Sequence, residues 1–268
     1  MKYLFKPYQL CLLFACSPLI AHAQVDISAR LSQTTVIQHE PITANIRIRN
    51  NTAEPIRLTP ENPASTVWLQ VERSPGRLVR QTNPDLFEGE IIIPPMDSIS
   101  QAIQITDSFD IRAVGPYTVR VRMAWRGQTL GAQTLFFDVV PGLELDQLPA
   151  VPTEGTGTRL YRLMTVNRNR RDELLFRVDD PNANICFAVI PLGSFLRVRP
   201  PQLRVDINHN AVILHQASPG RYFFHQFSPN GRLIRQQTYT SETPGVTLHR
   251  SEDGQYTVRG ATASLTPR

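Results

Sequence analysis

Short segments in which apolar and polar residues alternate recur through residues 25–140. Ile42, Ala44, Ile46 and Ile48 alternate with Thr43, Asn45, Arg47 and Arg49, while Tyr117, Val119, Val121, Met123 and Trp125 alternate with Thr118, Arg120, Arg122 and Ala124. A period of two predicts strands with one face buried and one wet. Two further strands, at 66–73 and 77–81, flank Ser74-Pro75-Gly76. That triplet predicts a hairpin, because proline presets a turn and glycine accepts positive φ. A last strand at 133–140 follows the turn Arg126-Gly127-Gln128. Many short strands with regular turn signals predict an antiparallel sandwich over residues 24–140.

Residues 141–158 are rich in proline and glycine without a period and are expected to be a linker. Beyond them, 159–166, 173–178, 184–190, 203–207, 211–216, 221–227, 232–239, 246–249 and 255–260 read as strands. Ala217-Ser218-Pro219-Gly220 and Ser228-Pro229-Asn230-Gly231 mark hairpins. No amphipathic helix is expected after the first 23 residues. Residues 203–214 echo 246–258 about 43 positions later, a propeller-like spacing, but too little chain remains for a ring. The expected fold is therefore all-β, with residues 159–268 forming an antiparallel β-meander or second sandwich.

The first residues, MKYLFKPYQLCLLFACSPLIAHAQ, place Lys2 and Lys6 before an apolar stretch at 10–20 and end in Ala21-His22-Ala23. This predicts a signal peptide over 1–23, cleaved between Ala23 and Gln24. The stretch is too short to span a bilayer. A competing reading sits in Leu13-Phe14-Ala15-Cys16, which resembles the lipobox of bacterial lipoproteins, with Cys16 as the lipidated residue and a lipid anchor as the result. Phe14 departs from that pattern, so cleavage after Ala23 is preferred.

Export changes the composition that matters. Of 28 basic side chains, Lys2 and Lys6 leave with the leader, so 26 arginines remain against 23 acids. A chain without lysine has no Schiff-base amine, P-loop lysine or lysine general base. Of three cysteines, Cys11 and Cys16 also leave, and a single Cys186 permits no intrachain disulfide. Cys186 falls in the apolar run 185–190 and is expected to be a buried structural thiol.

His39-Glu40-Pro41 before a strand, Arg49-Asn50-Asn51-Thr52 after it, and Asp110 ahead of Gly115-Pro116-Tyr117-Thr118-Val119 resemble bacterial immunoglobulin-like domains. The resemblance covers about 115 residues. It implies a sandwich in which Tyr117 acts as a tyrosine corner, its hydroxyl bonded to nearby backbone. The run from Leu203 onward resembles repeat-like meanders of exported bacterial proteins.

Candidate chemistry is sparse. Asp180-x-Asn182-x-Asn184 and Asp206-x-Asn208-x-Asn210 open like calcium loops, but Ile185 and Ala211 stand where the loop needs glycine, and Pro191 and Gln216 where it needs glutamate. Turn-stabilising Asx side chains are the expected role. His209, His215, His225 and His249 fall in one region. If Gln216 pairs with Arg221, His215 and His225 lie on opposite faces, whereas a three-residue loop puts them on one face. Without a cysteine or acid at ligand spacing, no metal site is expected. Glu88 with Glu90, or Asp179 with Asp180, have only their proximity in sequence to suggest acid–base work. No nucleophile elbow or phosphate-cradling loop is present. Trp125 shares parity with the core, whereas Trp68 alternates against Val67, Leu69 and Val71 and lies on the other face. Weak ligand-contact candidates are thus Trp68, His215 and His225, with no catalytic, cofactor or metal residues assigned.

The sequence points to an exported protein, periplasmic or extracellular, that serves the cell envelope as a binding or structural module and not as an enzyme. Expected partners are an envelope protein or glycan. Dispersed arginines and export argue against nucleic acid. The alternative is a hydrolase of envelope polymers whose site is assembled from distant loops.

Overall fold

The structure, a computed structural model, describes residues 24–264 except 61, 85, 87, 88 and 153–156. The expected leader, with Ala23 and the lipidation candidate Cys16, and Glu88 lie outside the described residues. Among the described residues no helix is long and apolar enough to cross a membrane.

The first part is formed by β1 (Val25–Leu31), β2 (Thr35–Ile37), β3 (Thr43–Asn50), β4 (Ile56–Leu58), β5 (Thr66–Arg73), β6 (Arg77–Leu78), β7 (Ile91–Ile93), β8 (Ser98–Gln104), the one-turn α1 (Ile105–Ser108), β9 (Gly115–Trp125), β10 (Gln128–Gly131) and β11 (Leu135–Val140). One sheet runs β1-β3-β8, a second runs β2-β11-β9-β5-β6 with β10 added to β9, and β4 and β7 pair as a separate two-stranded sheet. Alternation does what the sequence predicts: Ala44, Ile46 and Ile48 of the first sheet share a core with Leu69, Val119, Val121 and Phe137 of the second. Arg47 and Arg49 face solvent from the opposite side of β3. Tyr117 closes one end of this sandwich by donating its hydroxyl to the Ala113 carbonyl at 2.7 Å.

The second part contains β12 (Leu143–Ala150), β13 (Arg159–Arg168), β14 (Arg171–Asp180), β15 (Ile185–Ser194), β16 (Gln202–Val205), β17 (Ala211–Ser218), β18 (Arg221–Phe227), β19 (Leu233–Thr240), β20 (Thr247–Arg250), β21 (Tyr256–Arg259) and β22 (Thr262–Ala263). They form a four-stranded sheet β12-β13-β14-β15, a five-stranded sheet β16-β17-β18-β19-β22 and the hairpin β20-β21. Tyr161, Leu174 and Phe176 of the first sheet meet Ile213 and Phe227 of the second. The other face of the five-stranded sheet, through Val212, Leu214 and Phe224, meets Leu248, Tyr256 and Val258 of the hairpin. These are stacked antiparallel layers. The hairpins β16-β17 and β20-β21 have turns that close by matching backbone bonds, Asp206 N to Asn210 O and Ser251 N to Gln255 O, two residues out of step with the expected echo.

Two expectations are corrected. The proposed linker supplies β12, which pairs along β13 from Leu143↔Thr165 to Ala150↔Arg159. Pro149 is tolerated because β12 is an edge strand, where an absent N–H costs no ladder bond. Only Pro141 and Gly142 separate it from β11; Gly142 has φ of 73°, and a Cβ there would lie 3.0 Å from Ile37 Cγ2. The apolar run at 185–190 is likewise no fully buried strand. It begins β15, the other edge of that sheet, and leaves Ile185 49% and Phe187 40% exposed with Cys186 half-buried.

The two parts are locked at β2. Ile37 packs with Met164, Val166, Leu175 and Val189 on the outer face of the four-stranded sheet. Beside it, the buried Glu40 carboxylate pairs with Arg168, whose Nε donates to the Thr35 carbonyl at 2.8 Å and whose Nη1 donates to Glu173 at 2.8 Å. Glu40 also accepts from Ile37 N at 2.9 Å and Gln33 Nε2 at 3.1 Å, so the buried charge is fully surrounded by donors.

Candidate functional site

Trp68 lies, as its parity requires, on the outer face of β5, opposite Arg122 of β9. It is half-buried because two connections rise beside it. Leu58 at the end of β4 with Thr59 and Pro60 after it, and Gln81, Pro84 and Leu86 before β7, are among the residues that wall a cavity of about 240 Å³ with Trp68 and Ile91. The lining residues combine Trp68, two prolines and aliphatic side chains with the polar Thr59, Thr66 and Gln81, whose Nε2 donates to the Asn83 carbonyl at 3.0 Å. Such a surface can stack on an apolar ring face while bonding groups at its edge. Trp125 is in the core beneath the sheet, with the Arg126 guanidinium 4.8 Å over its ring.

A second hollow follows the junction. Spaces of about 390 and 180 Å³ share His39 and Cys186 as lining residues. Asp107, Asp110 and Arg112 contribute from the sandwich, and Arg162, Arg177 and Asp179 from the uncovered part of the four-stranded sheet. Asp107 accepts the Gln104 amide at 2.7 Å, and other acids of the hollow are held by arginines. Asp110 pairs with Arg112 at 2.6 Å, and Asp179 accepts Arg177 Nε on both oxygens at 2.8 Å. Although His39 is exposed by surface area, desolvation by the walls around it, aided by Arg177, holds it below its usual pKa. Burial pushes the Cys186 thiol up to about 12, which removes the thiolate a nucleophile needs.

His215 and His225 were expected on opposite faces under the pairing of Gln216 with Arg221. Instead Gln216 pairs with Tyr222 and Ser218 with Arg221, because a bulge absorbs Ala217. His215 then stands opposite Phe223 and His225 opposite Ile213, which puts both imidazoles on one face. Their rings stack with centroids 5.6 Å apart and planes 8° from parallel, while Phe195 and Phe223 meet His215 edge-on and Phe227 stacks on His225. They are 2% and 4% exposed and offer no surface to a ligand. Burial lowers His215 to about 3 and His225 to about 4. His209 is at the β16–β17 turn and His249 on the hairpin against the opposite face, so the four histidines do not converge.

The two Asx motifs are occupied by their own backbone. Asp206 accepts from the N–H groups of Asn208 and Asn210 and from the Gln226 amide at 2.7 Å. Asp180 accepts from Asn182 N and Ala183 N, and its second oxygen accepts Arg159 Nη1 at 3.3 Å. Arg159 also donates to Asn230 at 3.2 Å and lies 4.1 Å over the Phe187 ring, tying the β14–β15 and β18–β19 turns together. Asp179 and Asp180 are therefore engaged in separate ion pairs. Among the described residues, no three His, Cys, Asp or Glu side chains are placed to hold a metal ion.

Sequence reasoning placed Trp68 on its face but missed its cavity and the junction, since both are walled by residues distant in sequence. No protein-family model and no curated protein matches this chain.

Proposed function

We propose that the chain is an exported envelope-binding module, in which an immunoglobulin-like sandwich presents a glycan-binding site at Trp68 and the meander layers form a supporting body. The observation that carries this reading is the Trp68 cavity, which Trp68 and two prolines line together with Thr59, Thr66 and Gln81. Aromatic faces suit the apolar face of a sugar ring, and hydroxyls and amides suit its rim. The Tyr117 hydroxyl bonded to Ala113 supports the immunoglobulin-like part. The N-terminal leader pattern supports export and placement in the envelope.

The chain has two tryptophans, so fluorescence reports the site with one competing signal. Trp125→Phe removes that signal. Titration of this variant with soluble envelope glycan fragments should give saturable quenching, and Trp68→Ala in otherwise wild-type protein should weaken retention on the same glycans about tenfold or more. Unchanged fluorescence and equal retention of the two proteins would overturn the reading.

A further inference from the structure

A buried polar side chain ordinarily has hydrogen-bond partners, because losing water without replacement costs about 1–3 kcal/mol per group. The stacked histidines depart from this rule: His215 Nδ1, His215 Nε2 and His225 Nε2 are buried without a hydrogen-bond partner of normal geometry. The pair stands on the face of β17 and β18 that closes against the four-stranded sheet, within the aromatic series Phe195, Phe223, Phe227 and Phe176. Their place is a seam between two layers.

The surroundings would not shelter a cation. β13 contributes Tyr161, whose hydroxyl donates to the His209 carbonyl at 2.7 Å. β14 contributes Asp172 at its start, held by Arg197 at 2.7 Å. β18 contributes Arg221, whose guanidinium sits 5.1 Å over the Phe223 ring. β19 contributes the neutral Gln236 and Thr238, opposite His225 and Phe223. The only charge acting on His215 is His225, which opposes its protonation; the Ser194 backbone alone favours it. No charged neighbour acts on His225.

We propose that the His215–His225 stack is an acid-sensitive latch: protonation of either ring opens the seam between the four-stranded and five-stranded sheets while the N-terminal sandwich stays folded. One proton puts a charge among phenylalanines, and a second sets two cations face to face. Opening gives both rings water. The sign follows from burial favouring the neutral form. Above an unfolded-state value of 6.5 nothing is lost, and stability falls as the pH drops below it, down to the folded values of about 3 and about 4. Between pH 7.5 and 5.0, linkage for two such rings raises the opening equilibrium roughly a thousandfold.

Amide hydrogen exchange on the full chain, corrected for intrinsic rates, measures that opening strand by strand. Protection in β13, β14, β17 and β18 should fall by about that factor on going from pH 7.5 to 5.0, with β3, β5 and β9 little changed. The double variant His215→Phe/His225→Phe keeps the ring stack without the titration and should lose the fall. Unchanged protection in β17 and β18 at pH 5.0, an equal fall in both parts, or a fall that persists in the double variant would overturn the proposal. Should the double variant not fold, the difference between the two parts of the wild-type chain decides it.

Discussion

In the sandwich, β3 buries Ala44, Ile46 and Ile48 and turns Arg47 and Arg49 to water; in the second part, β17 buries five residues in succession, 211–215. The sandwich makes one core from two inner faces and leaves its outer faces largely wet, apart from Ile37 at the junction and Trp68 beneath its connections. The meander layers bury both faces of β17, one against the four-stranded sheet and the other against the hairpin. A stack of this kind depends on its ends being covered. The hairpin covers one end with Leu248 and Val258 inward and Thr247 and Arg259 outward. At the other, β2 covers only part of the four-stranded sheet and the ionic cavity borders the rest.

The junction should give the largest effect. Arg168→Ala leaves Glu40 buried without its cation and should cost about 3–5 kcal/mol in denaturant unfolding, well beyond an exposed pair such as Arg57 with Glu90. A cost below about 1 kcal/mol would mean that the two parts are not coupled there.

Next comes a test of the two burial patterns. Ile213→Ala and Leu214→Ala alter adjacent residues on opposite faces of β17, and each should cost about 2–5 kcal/mol. In β3, Ile46→Ala should fall in the same range while Arg49→Ala stays within about 0.5 kcal/mol. Denaturation midpoints of the four variants check this, and a tolerant site on either face of β17 would break the contrast.

The smallest effect is shared by both parts. Tyr117→Phe and Tyr161→Phe each remove one hydroxyl donating to a carbonyl at 2.7 Å, and each should cost about 1 kcal/mol by the same measurement.

Much of this architecture was legible because the patterns are local. Alternation placed Ile46 and Val121 inward, and Pro-Gly turns located the β17–β18 and β18–β19 hairpins. β12 was hidden because its edge position lets it keep Glu144, Asp146 and Pro149, residues that read as loop. Exposure of Ile185 and Phe187 was hidden for a related reason, since strand order is not written in a strand's own composition. A bulge of one residue at Ala217 decided the faces of His215 and His225, and it exchanged one predicted parity for the other. Trp68 had a legible face, yet Pro60 and Pro84 reach it only through the fold.

The central claim is that the meander layers rely on the sandwich for cover, whereas the sandwich closes its own core. Thermal unfolding of residues 24–140 and 141–268, produced separately and compared with 24–268, tests it most directly. Residues 24–140 should melt cooperatively near their transition in the full chain, and residues 141–268 should melt at least about 10 °C lower, having lost Glu40 and Ile37 from the outer face of their first sheet. Retention of the full-chain transition by isolated 141–268 would contradict the account.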